Sequence, residues 1–375
     1  MKNKYFTLLF MMIFPSLASA ALDLLSGGYV YRLQIEVAMP SGPSLPLTIQ
    51  YRSRTAWATN LGFGWCADWT TQLEILGDNR YRLRDCAGDL IFADLASPTG
   101  EGERFLSSQG DELRRGQGGL WVFRRNGTRL RFSRHGHLLQ RWQNGQVETF
   151  AYDGFNRLRE WKRAEGTILF SYPGVEREAR AFGSLEARPT RLTQRAGNLS
   201  RIEAAKITFH FEYDEVNNLT VIREGRREIE RIEYHREQDQ VKSIYTANNK
   251  QSLDVTYRAG ASGSPQIQEV RKSRGLERLV YTYQPDGLLQ RVRRMLFNEA
   301  QSPQRDEQTF FQYGPTSRLR SVTTHSGQKI EIRYDNRGRL QDFLMPREKG
   351  DTLAAATALQ SALEHLAPLQ GDLVL

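Results

Sequence analysis

An aromatic residue followed six positions later by leucine returns again and again along this chain, with a turn-forming residue between the two. Tyr152-Asp153-Gly154-Phe155-Asn156-Arg157-Leu158 is one copy, and Tyr213-Asp214-Glu215-Val216-Asn217-Asn218-Leu219 is a second. Tyr334-Asp335-Asn336-Arg337-Gly338-Arg339-Leu340 is a third. Looser copies run from Tyr283 through Gly287 to Leu289, from Tyr313 to Leu319, and from Phe132 to Leu138. In five of the six, the residue four after the ring is Gly or Asn, the types that tolerate positive φ. This pattern describes a strand that ends on a ring, reverses, and restarts on leucine. Asp after Tyr bonds the turn amides, and ring and leucine flank the reversal on one sheet face.

The spacing turns a motif into an architecture. Marks fall at Phe132, Tyr152, Tyr172, Thr193, Tyr213 and Tyr234, all 20 or 21 residues apart. Thr193 lacks the ring, but Gly197 and Leu199 keep the expected offsets. Later marks at Tyr257, Tyr283, Tyr313 and Tyr334 stretch the period and then recover it. Fixed-period self-similarity means an array of supersecondary units. About twenty residues accommodate two strands and two turns. The fold class is all-β, an array of antiparallel hairpins.

Tyr-Asp-x-x-Gly-Arg-Leu resembles the motif of the RHS (YD-repeat) family, and residues 334–340 match it at every fixed position. The resemblance implies β-strips coiling into a shell, here a partial one, often around a toxic C-terminal segment. Tyr51-Arg52-Ser53 followed by Leu61-Gly62-Phe63-Gly64-Trp65 is similar to the family's lead-in to its repeats. Family members usually end their shell with an Asp-Pro self-cleavage segment and a toxin domain. This chain has no Asp-Pro, so neither is expected of it.

Residues 1–20 read as a secretory signal: Lys2 and Lys4, a short apolar run over 5–14, and Ala18-Ser19-Ala20 before a mature start at Ala21. The competing reading is an uncleaved anchor, for which the run is short. No Cys follows to carry a lipid, so the expected localisation is exported, periplasmic or secreted. Formal charge is +9, with 43 Arg against 9 Lys, but the arginines alternate with acids as on exposed strand faces. Nucleic acid is not an expected partner for an exported chain; anionic surface polymers are the alternative to a merely solvated face. The two cysteines, Cys66 and Cys86, are expected to pair across a hairpin in an oxidising compartment; the alternative is two buried thiols.

The expected domains are the signal over 1–20, a β-rich lead-in that caps the array over 21–118, repeats over 119–345, and a tail over 346–375. Within the lead-in, 95–118 read as a loop. Asn126-Gly127 and Asn144-Gly145 mark hairpins at the strand ends opposite the Tyr-Asp turns. Insertions are expected at 260–265 and 298–308, and a short capping helix over 352–366.

No motif assigns chemistry. His135-x-His137 places two imidazoles on one side of a strand, with no third ligand in sequence reach, so neither metal nor cofactor is expected. The recurring Asp153, Asp214 and Asp335 are accounted for by turns. Gly-x-Ser-x-Gly, phosphate-loop and His-Glu-x-x-His signatures are missing. Two function classes follow. The first is a non-catalytic scaffold that contacts a cell-surface glycan or protein partner and can self-associate through sheet edges, in a setting of toxin delivery or intercellular competition. The second is an exported carbohydrate-active enzyme using a carboxylate pair.

Overall fold

The computed structural model describes residues 18–334 and 340–344, apart from 24–27, 40–42, 56, 78–79, 95–103, 108–109, 117, 174–177, 184–188, 205–206, 247–249, 259–265, 273–275, 287 and 315–317. The expected helix over 352–366, the insertion at 260–265 and most of the signal segment lie outside these residues.

Two sheets carry the fold. The smaller has strand order β1-β2-β3-β6, from Ala18–Asp23 (β1), Gly28–Val37 (β2), Leu45–Arg52 (β3) and Trp65–Ala67 (β6). A two-residue ladder of Ala58–Thr59 (β4) and Gly62–Phe63 (β5) links β3 to β6. The expected cleavage point after Ala20 falls inside β1. The larger sheet begins at Gln72–Gly77 (β7), passes through Arg80–Asp85 (β8) and Gly88–Asp94 (β9), and meanders through 26 strands to Leu340–Leu344.

This ribbon coils. Each strand pairs antiparallel with its sequence neighbour, and the start of the ribbon then meets its own later course. The Leu73 amide donates to Gly136 O at 2.9 Å, beside a bridge between Gln72 and His137. The contact is with the turn after Arg129–Phe132, and among the described pairings the last strand bonds only its predecessor. The sheet is therefore a winding and not a closed barrel.

Alternation builds it. In Thr167–Ser171, Ile168 and Phe170 point inward and are buried, while their neighbours are partly exposed. The smaller sheet packs on the inner side, and its residues share one core with those of the ribbon from Leu73 to Ile332. Outward positions carry cross-strand ion pairs, such as Arg82 with Glu74 at 3.5 Å and Arg293 with Asp306 at 2.6 Å.

The ribbon takes in more of the sequence than expected. Within 95–118, read as a loop, Arg104–Ser107 and Glu112–Gly116 are paired strands. Each needs few apolar residues because only one face is buried; Phe105 and Leu113 suffice. The expected insertion at 298–308 is mostly strand as well. Leu289–Phe297 and Pro303–Tyr313 form a long hairpin joined at 298–302, so longer strands stretch the period there.

Candidate functional site: the seam between lead-in and ribbon

The repeat turns share one construction. Ring and leucine are direct cross-strand partners at Phe132–Leu138, Tyr152–Leu158, Tyr213–Leu219, Tyr283–Leu289, Tyr313–Leu319 and Tyr334–Leu340. A register shift just before the ring accompanies each pair, a local bend that helps the sheet curve. Asp153 Oδ1 accepts from the Phe155 and Arg157 amides, both at 2.9 Å, and its Oδ2 takes the Arg157 guanidinium at 2.8 Å. These bonds hold the Asp153 carboxyl below the usual range, against the opposing pull of desolvation. Asp214 Oδ1 likewise accepts from the Val216 and Asn218 amides, at 3.0 and 2.8 Å. Asn156 and Asn217 supply the left-handed residue, with φ of 61° and 70°. Asp335, Gly338 and Gly287 lie outside the described residues. At Thr193 the pairing slips: the hairpin turns on Ala196 and Gly197, and Leu199 faces Gln194.

The tyrosine hydroxyl does what a phenylalanine could not. Tyr152 donates to Leu138 O and Tyr172 to Leu158 O, both at 2.9 Å; Tyr213 donates to Leu199 O at 2.6 Å and Tyr234 to Leu219 O at 3.0 Å. Each ring thereby ties its turn to the previous leucine.

The lead-in plugs into these turns. The Tyr51 hydroxyl donates to Asn217 O at 3.2 Å and accepts the Leu219 amide at 3.0 Å. Trp65 Nε1 donates to the Tyr213 hydroxyl at 2.6 Å, and the Trp65 ring meets Phe211 edge-on at 4.9 Å. Gly64 is required beneath them. Its φ is 70°, and a Cβ would stand 2.6 Å from Arg52 O and 2.7 Å from the Tyr51 ring. Tyr29 donates to Glu230 Oε2 at 2.6 Å, and burial pushes the Glu230 carboxyl up from its ordinary value while that bond pulls it down. Phe63 N donates to Gly197 O at 3.2 Å, where the repeat has lost its ring.

Cys66 and Cys86 are joined, with Cα atoms 5.6 Å apart. They do not face each other across a hairpin, as expected. Cys66 lies in β6 of the inner sheet and Cys86 in the turn between β8 and β9 of the ribbon, which takes in the later part of the expected lead-in, so the bond fastens the inner sheet to the ribbon. A charged knot adds to it: Arg141 bridges Glu148 and Asp68, and Arg163 reaches Glu148 at 3.4 Å. His135 is exposed, whereas His137 is half-buried with its ring 5.1 Å from Tyr152. Beside it, Trp57–Asn60, Trp69–Gln72, His137, Tyr152, Asn156 and Leu158 line a cleft.

Sequence reasoning missed Tyr29, Tyr31, Trp57 and Trp69. Tyr29-Val30-Tyr31 alternates aromatic residues within a strand, and that was the available signal.

Residues 195–371 match the family model described as Teneurin YD-shell. No curated protein matches the chain in sequence. Among solved structures, the crystal structure of TcdB2-TccC3-TEV is 11% identical over 86% of this chain and 23% of its own, with a TM-score of 0.34. TcdB2-TccC3 without its hypervariable C-terminal region is 12% identical over the same shares, with a TM-score of 0.33. A porin-like protein from Bacteroides uniformis is 10% identical over 65% of this chain and 95% of its own, with a TM-score of 0.18. The chain thus spans under a quarter of the length of the TcdB2-TccC3 chains it resembles. Over residues 195–371, just under half of its length, the chain is thus similar to the Teneurin YD-shell family, and its repeating turns and coiled ribbon are of the YD-repeat kind.

Proposed function

We propose that this protein is an exported, non-catalytic scaffold whose coiled ribbon presents a rigid face to a cell-surface glycan or protein partner, in a setting of toxin delivery or competition between cells. The observation that carries this reading is the seam. Tyr51, Trp65, Tyr29 and the Cys66–Cys86 bond commit the lead-in to holding the winding together. A chain built this way gains stiffness and surface, the properties that binding without rearrangement requires. Export is supported by the signal-like residues 1–20 and by a cysteine pair at bonding distance, which an oxidising compartment maintains.

The test is to express the full chain with its own leader, fractionate the cells, and apply the exported protein to arrayed surface glycans and to intact cells with a cross-linker. Expected results are export with a start at Ala21, and saturable capture of a glycan or surface protein without release of product. Retention in the cytoplasm, or release of reducing sugar from the array, would overturn the scaffold reading. The latter outcome would favour a carbohydrate-active enzyme, with Glu230, the carboxyl that burial pushes up, as the first candidate for substitution.

A further inference from the structure

We propose that the cleft where the lead-in, the first ribbon strand and two repeat turns meet binds an uncharged sugar residue. The inference rests on the reading of the chain as a glycan-contacting scaffold and assigns that contact to one place. Its walls come from four separate parts of the chain. Trp57 and Asn60 stand on the β4–β5 side, Trp69 and Gln72 lead into β7, His137 belongs to the first repeat turn, and Asn156 to the second.

The chemistry of the lining selects the ligand. A quarter of the chain is charged, 25% by composition, yet none of the residues lining the cleft is Asp, Glu, Lys or Arg. His137 stays neutral near pH 7, since burial and neighbouring His135 both push it down. An ion entering such a cleft would lose hydration without a counter-charge. A sugar ring does not meet that penalty. It offers a rim of hydroxyls for the amides of Gln72 and Asn156, and an apolar edge for the small open parts of Trp57 and Trp69, which are 9% and 3% exposed.

The polar groups divide into two sets. Thr59, Thr70 and Thr71 spend their hydroxyls on Trp65 O, Ala67 O and Asp68 O at 2.7, 2.8 and 3.0 Å, so they shape the wall. The side chains of Gln72 and Asn156 and the ring nitrogens of His137 have no hydrogen-bond partner among the described residues. Three uncommitted polar groups beside indole rings are the usual composition of a small-molecule site: apolar walls with few orienting groups. The floor is fixed by the Leu73–Gly136 bond at 2.9 Å and the bridge between Gln72 and His137. The site therefore exists only in the wound ribbon.

The experiment titrates the full chain with cellohexaose, maltohexaose, chitohexaose and mannohexaose, and with oligogalacturonate as the charged comparator, following tryptophan fluorescence and calorimetry. Gln72→Ala and Asn156→Gly are the variants; glycine keeps the positive φ of 61° at position 156. A neutral oligosaccharide is expected to bind and shift the emission. Each variant should weaken that binding by up to about tenfold, the worth of one hydrogen bond, with an unchanged melting temperature. Binding that persists undiminished in both variants would overturn the cleft and leave the glycan reading standing on another face. Absence of binding by all four neutral probes, or preference for oligogalacturonate, would also overturn it. Capture on the wider glycan array decides the scaffold reading independently.

Discussion

At the scale of the residue, the ring, the carboxylate and the leucine have separable tasks. Leu158 and Leu219 are 1% and 0% exposed, so truncating either to Ala should cost about 2–5 kcal/mol in chemical denaturation. Variants that unfold with the parent would show that these positions are not core. Tyr152→Phe removes one hydroxyl from Leu138 O and should cost about 1 kcal/mol. Tyr213→Phe also strands Trp65 Nε1, and should cost about 1–3 kcal/mol more by the same measurement. Glu230 behaves differently from the turn carboxylates. Burial raises it, so the native state holds its proton more tightly than the unfolded chain. Its contribution favours folding at acid pH and fades as pH rises from the ordinary glutamate range through the higher folded value. Glu230→Gln should flatten that part of a melting-temperature profile; a profile matching the parent's would mean the carboxyl is solvated. The turn chemistry was legible in the sequence because Asp153, Asn156 and Leu158 lie within six residues of Tyr152. The partners of Tyr29 and Trp65 were not, since they stand 201 and 148 residues away.

At the scale of the element, the unit is a hairpin whose length varies more than its turn does. The Asn144-Gly145 reversal, with φ of 50° and 78°, was readable because both residues must be left-handed in that turn. The strands Arg104–Ser107 and Glu112–Gly116 were not, because one buried side chain in a short polar run is too weak a period to detect. The slipped pairing at Gln194 was equally hidden, since Thr193, Gly197 and Leu199 preserve the offsets. The most sensitive glycine in the ribbon is Gly136, where a Cβ would stand 1.8 Å from Leu73 O. Gly127 has a similar φ, 88° against 82°, but nothing within 4 Å. Gly136→Ala should therefore destabilise well beyond Gly127→Ala, and hydrogen exchange should locate the added loss at Leu73. Equal losses would mean that backbone strain alone is being measured.

At the scale of the whole molecule, the lead-in and the ribbon make one core instead of two stacked domains. Cys66 and Cys86 close a loop across that division, with a sequence separation of 20. Non-reducing mass analysis of the exported protein should find the two peptides joined. Their reduction should lower stability by about 3 kcal/mol, as expected for a loop of that length. Free thiols in the exported protein would reject the link. The cysteine pairing was anticipated on compartment and number alone, but its place was not. A hairpin is the nearest explanation for two cysteines close in sequence, and only the three-dimensional winding puts β6 beneath the turn after β8. That winding also decides how such a protein can change in size. Because residues 72–137 are buckled to themselves, the width of the first coil is set at its leading end, and units duplicated further along would lengthen the winding without loosening that clasp.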